Sequence, residues 1–176
     1  MNRKILLVII VLFFTACKKK AKQNIALKYT MIFDELAHMY PPSSNIIKLN
    51  NAHSGQYVLI TDTLNVYSQT FASKLSDIST KPITKVSVSG FIMAPSNLSN
   101  GAIVVSIEDS KGKHFEYGSI TCKQFVKQNN VWEPFTIELP IKAASSKPDN
   151  IVKIYGWNYD SKDVTFFDDL TVTFEN

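Results

Sequence analysis

Glycine is scarce in this sequence, six among 176 residues. It builds neither a GxxxxGK loop for phosphates nor a GxSxG elbow for a serine nucleophile. The histidines His38, His53 and His114 stand alone, without the HxH or HExxH spacing that suits zinc. Cysteine occurs only as Cys17 and Cys122, and nothing local marks Cys122 as an activated thiol. Six glycines and seven prolines exclude collagen-like and low-complexity chains, and 45% hydrophobic residues exclude a disordered one. A basic face is also missing. The formal charge of +4 rests on Arg3, Lys4, Lys18, Lys19, Lys20 and Lys22; taking those six from 19 leaves 13 basic residues against 15 acidic ones, a net −2 from Gln23 onward. Nothing in that body is suited to neutralise nucleic-acid phosphates. The length suits one domain with an appendage.

The appendage is the amino-terminal end. Asn2-Arg3-Lys4 is a positive start, Ile5 to Phe14 is unbroken apolar sequence, and Thr15-Ala16-Cys17 follows. Ten residues of helix rise about 15 Å, roughly half the hydrocarbon thickness of a bilayer, so the run is read as a secretory signal over residues 1–16 rather than a span. Cysteine directly after the small Ala16 resembles the lipobox of bacterial lipoproteins, with Phe14 where that motif usually has leucine, as in the relaxed boxes of Bacteroidetes-type lipoproteins. The resemblance implies acylation of Cys17, an address at the cell envelope, and a tether over residues 17–24. Lysine after the cysteine is similar to lipoproteins sorted to the outer membrane; the periplasmic or external face stays open. A Cys17–Cys122 disulfide is the other use an oxidising compartment allows.

From Ile25 to the end, over residues 25–176, a side-chain period of two dominates. Ile25, Leu27, Tyr29, Met31 and Phe33 alternate with polar or smaller residues, although 31–40 also reads as a short helix. Strands are expected at 46–49, 56–61, 66–71, 85–93, 103–107, 114–120, 132–139, 151–157 and 164–174. Asn100-Gly101 and Asp109-Ser110-Lys111-Gly112 supply turn chemistry. About ten short strands without helical crossovers predict an all-β antiparallel sandwich or barrel, with Cys122 a small buried hydrophobe.

Four segments narrow that class. Ala52-His53-Ser54-Gly55-Gln56-Tyr57, Trp132-Glu133-Pro134-Phe135 leading to Leu139-Pro140, Ile154-Tyr155-Gly156-Trp157-Asn158, and Phe167-Asp168-Asp169-Leu170-Thr171-Val172 resemble, in order, segments of the galactose-binding-like jelly rolls, among them the CenC-type carbohydrate-binding modules. The resemblance covers roughly residues 30–175 and implies a jelly-roll β-sandwich. It also implies a structural calcium held by Asp168 or Asp169 together with Asp34 or Glu35. As neighbours on a strand, Asp168 and Asp169 are expected on opposite faces, unable to form one site alone.

A glycan site needs flat apolar faces beside hydrogen-bonding groups. Tyr117 and Tyr159 are the expected exposed platforms, with Trp157 and the amide of Asn158 beside them. Tyr155, Trp157 and Phe115 also suit core packing, and Trp132 a structural role. Glu108 and Glu116, on paired hairpin strands, are the one carboxylate pair with the separation that glycoside hydrolysis uses, and charges flanking a turn are more often solubilising. The reading is therefore a non-catalytic, lipid-anchored module for a carbohydrate or other extracytoplasmic polymer. The alternative is a structural or protein-docking subunit of an envelope complex.

Overall fold

The computed structural model describes residues 24–39, 45–68 and 71–176; Cys17, the leader and tether residues 18–23 lie outside the described residues. Ten strands and three short helices follow in order: β1 (Ile25–Thr30), α1 (Phe33–Met39), β2 (Ile46–Lys48), β3 (Tyr57–Thr61), β4 (Phe71–Lys74), α2 (Leu75–Ile78), β5 (Lys85–Met93), β6 (Ala102–Glu108), β7 (His114–Thr121), α3 (Cys122–Phe125), β8 (Glu133–Pro140), β9 (Ile151–Trp157) and β10 (Thr165–Glu175). One sheet has the order β2-β3-β10-β5-β8, with β1 also paired to β10; the other has the order β4-β9-β6-β7. Every strand pairing is antiparallel, and the chain repeatedly crosses between the layers. This is a jelly-roll sandwich.

The period of two produces it. In β5, Val86, Val88 and Ile92 are buried while Ser87 and Ser89 face outward, and in β8 Phe135, Ile137 and Leu139 alternate with exposed Thr136 and Glu138. They meet Ile103, Val105, Ile107, Val152 and Ile154 from the second sheet. Each such side chain fully buried contributes about 1.5–3 kcal/mol relative to exposure. Cys122 joins this core as a free cysteine, and burial pushes its thiol up to about 11. Behind the six-stranded sheet, Val58, Ile60, Met93 and Phe166 form a smaller cluster against Trp132, whose Nε1 donates to the Asn51 carbonyl at 2.7 Å.

Two stretches depart from the sequence reading. The alternation from Ile25 to Phe33 splits after Thr30, with Phe33 buried at the start of α1. Ile25, Leu27 and Tyr29 are exposed rather than half-buried, because β1 lies on the open edge of β10. In the described part of the strand expected at 66–71, Val66 and Ser68 lie outside any strand, Tyr67 makes an isolated bridge with Trp157, and β4 begins at Phe71.

A third departure corrects the aspartate pair. Between Asp168 and Thr171 the pairing of β10 with β5 shifts register, and Asp169 takes φ +50°. Gly90 lies against this bulge, where a Cβ would come within 2.8 Å of the Asp168 carbonyl oxygen and of Leu170. The bulge breaks the strict alternation, and both carboxylates reach one turn. Asp168 Oδ2 accepts the N–H groups of His53 (3.0 Å) and Ser54 (3.1 Å), and Asp168 Oδ1 accepts the Asp169 N–H at 2.8 Å. Asp169 meets His53 Nδ1 at 2.6 Å and accepts from Ser54 Oγ at 2.5 Å. From the other side, Asp34 accepts the Gln56 N–H at 2.9 Å beneath Gly55, which has φ +58°. The 53–57 turn is thus held between carboxylates of α1 and β10.

Burial raises the Asp168 carboxyl above its ordinary value, aided by the Asp169 charge and opposed by the N–H bonds from Ser54, Asp169 and His53. Between the ordinary and the raised value the folded state holds the extra proton, so this group's contribution to stability falls as pH rises through that window. Asp168→Asn removes that pH dependence. It also turns an amide NH₂ toward either the Asp169 N–H or the turn N–H groups, which costs about 1–3 kcal/mol at neutral pH. Urea unfolding of both forms across acid to neutral pH checks this; equal stability at neutral pH would show that the turn does not depend on the carboxylate.

Candidate functional site

The outer face of the four-stranded sheet carries the site. On β9, Val152, Ile154 and Gly156 face the core, so Lys153, Tyr155 and Trp157 face out. The register sets Tyr155 opposite Val104, Lys153 opposite Ser106, and Ser106 opposite Tyr117 on β7. A β-bulge between Ile107 and Glu108 sets Glu108 against His114 and brings that histidine to the same face. Two adjoining clefts result. One of about 550 Å³ is lined by Tyr67, Ala72, Glu108, His114, Lys153 and Tyr155. The other, of about 310 Å³, is lined by Tyr67, His114, Tyr117, Tyr155 and Trp157.

The rings form a connected set. Tyr67 lies parallel to Trp157, with centroids 6.5 Å apart and planes 8° apart, and meets Tyr155 edge-on at 6.0 Å. Tyr159 meets Trp157 edge-on at 4.8 Å, and His114 lies at right angles to Tyr117 at 6.4 Å. Tyr67, Tyr117 and Tyr159 keep 59%, 49% and 46% of their surface in solvent, enough for flat stacking faces.

Beside these rings sits a compact polar group. The Glu108 carboxylate, nearly buried, pairs with Lys153 Nζ and lies 3.8 Å from His114 Nδ1. A buried carboxylate needs such partners. Ser106 Oγ, buried beneath the face, has no hydrogen-bond partner. Burial pushes the Tyr155 phenol up, reinforced by Tyr117, Tyr67 and the Glu108 charge, so it stays protonated and able to donate at neutral pH. The face therefore offers flat apolar surface, an ammonium and a phenol as donors, and carboxylate and hydroxyl oxygens as acceptors.

Of the expected ligand-binding residues, the structure brings Tyr117 and Trp157 together, with Tyr159 at the rim. Trp157 and Tyr155 are half-buried on the outer face and do not join the core; Phe115 is exposed beneath the Lys113 ammonium. Asn158 is elsewhere. Its Nδ2 donates to the Ser161 carbonyl at 3.2 Å and its N–H to the Val66 carbonyl at 2.7 Å, so it braces the loop after β9. Sequence reasoning missed Tyr67, His114 and Lys153, and weighed Glu108 only as an acid. Lys153 was within reach, two residues before Tyr155; Tyr67 was not, because only its bridge to Trp157 brings it here.

Glu108 and Glu116 do not form a catalytic pair. Glu116 is paired with inward-facing Ile107 and so lies on the opposite face from Glu108. There it accepts from Ser145 Oγ at 2.8 Å, a bond that, with the Lys142 charge, holds its carboxyl below the ordinary value. As for a metal, Asp34 and Asp168 accept backbone N–H groups, and Glu35 lies exposed on α1. Among the described residues, no three His, Cys, Asp or Glu side chains are grouped to hold a metal ion. These carboxylates are engaged by N–H donors, with which calcium would have to share their oxygens.

No protein-family model and no curated protein matches the chain. Several solved structures are similar to it. With the xylan-binding domain CBM22-1 of Xyn10C from Paenibacillus barcinonensis, the likeness covers 86% of this chain and 95% of that one at 13% identity and a TM-score of 0.47. With the module TmCBM61 in complex with β-1,4-galactotriose, it covers 72% and 79% at 16% identity and a TM-score of 0.39. With an arabinose-bound α-L-arabinofuranosidase it covers 73% of this chain at 14% identity and a TM-score of 0.49; this chain spans only 21% of that enzyme. The jelly-roll assignment rests on the strand order and register described above.

Proposed function

We propose that this protein binds a neutral carbohydrate without catalysis, on the outer face of the β4-β9-β6-β7 sheet. The observation that carries the reading is the joining of exposed rings to a self-neutralised Lys153–Glu108 pair in one trough. Sugar rings offer flat C–H faces to aromatics and hydroxyls to fixed donors and acceptors. Because the two charges cancel, the trough selects neither an acidic nor a basic polymer. Isothermal titration with xylo-oligosaccharides and β-1,4-galacto-oligosaccharides tests this. Trp157→Ala is expected to weaken binding roughly 10- to 30-fold, with the far-UV spectrum unchanged. Full affinity in that variant would remove the trough as the site. As the aspartates are already satisfied by N–H groups, added calcium is expected to change neither affinity nor Tm; a calcium-dependent rise in Tm would mean that they regroup around the ion.

The rival reading, protein docking within an envelope complex, has one specific observation in its favour: Leu64 is 90% exposed at the tip of a turn whose N–H groups Asp62 holds. Under the glycan reading, Leu64→Ser leaves sugar affinity unaltered.

The address belongs to the same proposal. Cleavage after Ala16 and acylation of Cys17 would hold the domain at the envelope, in the outer membrane, because each buried acyl CH₂ contributes about 0.8 kcal/mol and several chains make release negligible. Cys17→Ser is expected to move the protein from the membrane to the soluble fraction, and the mass of the native form to exceed that of the residues from Cys17 onward by the acyl groups. Retention of the serine variant in the membrane would overturn the anchor.

A further inference from the structure

Resting on the carbohydrate-binding reading, we infer that the ligand is a linear neutral polysaccharide that passes over Tyr155 and Trp157 and leaves the face over the loop at Tyr159. The two clefts share Tyr67, His114 and Tyr155 and are displaced along one strand. The first reaches Lys153, Glu108 and Ala72; the second reaches Trp157. Outward residues of β9 follow one another at about 6.6 Å, so Lys153, Tyr155 and Trp157 form the floor of one continuous lane.

The sides of the lane are flanked at staggered levels. Tyr67 continues the line of β4 beside Trp157; on β7, His114 and Tyr117 stand at the levels of Ile151 and Lys153, and Ser119 and Thr121 at those of Tyr155 and Trp157. The lane continues past Trp157 into the loop after β9. There the next aromatic ring is Tyr159, set edge-on to Trp157 at 4.8 Å and 69°.

Tyr159 is also fixed in place. Its N–H donates to the Trp157 carbonyl at 2.9 Å, and its own carbonyl accepts from Asn100 Nδ2 at 2.9 Å. The bond from Asn158 Nδ2 to Ser161 and the left-handed turn at Asp160, φ +49°, close the loop around it. A backbone held this firmly loses little freedom when a sugar packs on the ring it carries. The loop after β9 thus extends the lane by one more stacking position, which a short oligosaccharide in the sheet cleft does not reach.

The test is titration of the full chain with di- to hexasaccharides of the two series named above. In the unmodified protein, affinity rises with chain length to the hexasaccharide. Tyr159→Ala lowers hexasaccharide affinity about 3- to 10-fold and leaves disaccharide affinity unchanged, Tyr159→Phe retains both, and Trp157→Ala weakens both. If Tyr159→Ala leaves the hexasaccharide unaffected while Trp157→Ala weakens it, the exit over the loop is wrong and the carbohydrate reading stands. An equal loss at every length in Tyr159→Ala would mean that Tyr159 only props Trp157, which also overturns the lane. No binding by the unmodified protein would overturn both readings.

Discussion

Along β9 each residue serves either the core or the trough, and the pairing of β9 with β6 decides which. Val152 and Ile154 pack inward among Ile103, Val105 and Ile107, and that burial fixes the register. The outward set, Lys153, Tyr155 and Trp157, follows without any further choice, because a slip of one residue would exchange the two sets. The same register places Ser106 between Lys153 and Tyr117. The apolar core therefore acts as the positioning device for the rings. Gly156 completes the inward set: a Cβ there would come within 2.9 Å of Ser68 Oγ and Thr61, so the approach of these segments near Trp157 depends on its absence.

The polar centre of the face follows from a cost. Glu108 is nearly buried at the end of β6, and a lone carboxylate there would be strongly unfavourable. Lys153, brought to the face by the alternation of β9, and His114, brought there by the bulge opposite Glu108, supply its partners. What stabilises the acid also orients an ammonium and an imidazole in the lining of the trough. Ser106 lies beneath them, fully buried, with its hydroxyl unpartnered.

Much of the architecture was legible because it is local. The segment 85–93 alternates so regularly that its limits match β5, and the turn at 109–112 forms as its residues require, with the Gly112 N–H donating to the Asp109 carbonyl at 3.0 Å. The misreadings have a shared physical origin in contacts between segments distant in sequence. Ile25, Leu27 and Tyr29 alternate like a half-buried strand, yet β1 pairs at the margin of β10 where little covers them. Asp168 and Asp169 defeat the alternation rule through a positive φ that no sequence period reveals. Of the site, Trp157 and Tyr117 were legible from strand-face arithmetic. Tyr67 depends on where an irregular segment happens to run, and Asn158 had the right chemistry but a nearer carbonyl to bond.

The two ends of the sandwich differ in what the chain brings to them. Residue Ile25 pairs with Glu175 at the end of β10, so the chain enters the domain there. The Trp157 end lies by the start of β10, where the Gly101 N–H donates to Thr165 Oγ1 at 2.9 Å, and Trp157 itself is paired with Ala102. Eleven strand residues, about 35 Å, separate these ends. The Tyr159 loop therefore lies at the end of the sandwich remote from Ile25. The exposed Leu64 belongs to the same distal end, because the Val66 carbonyl next to its turn accepts the Asn158 N–H. Topology therefore places Trp157 and Tyr159 at the end of β9 remote from the entry strand, with His114 and Lys153 nearer to it.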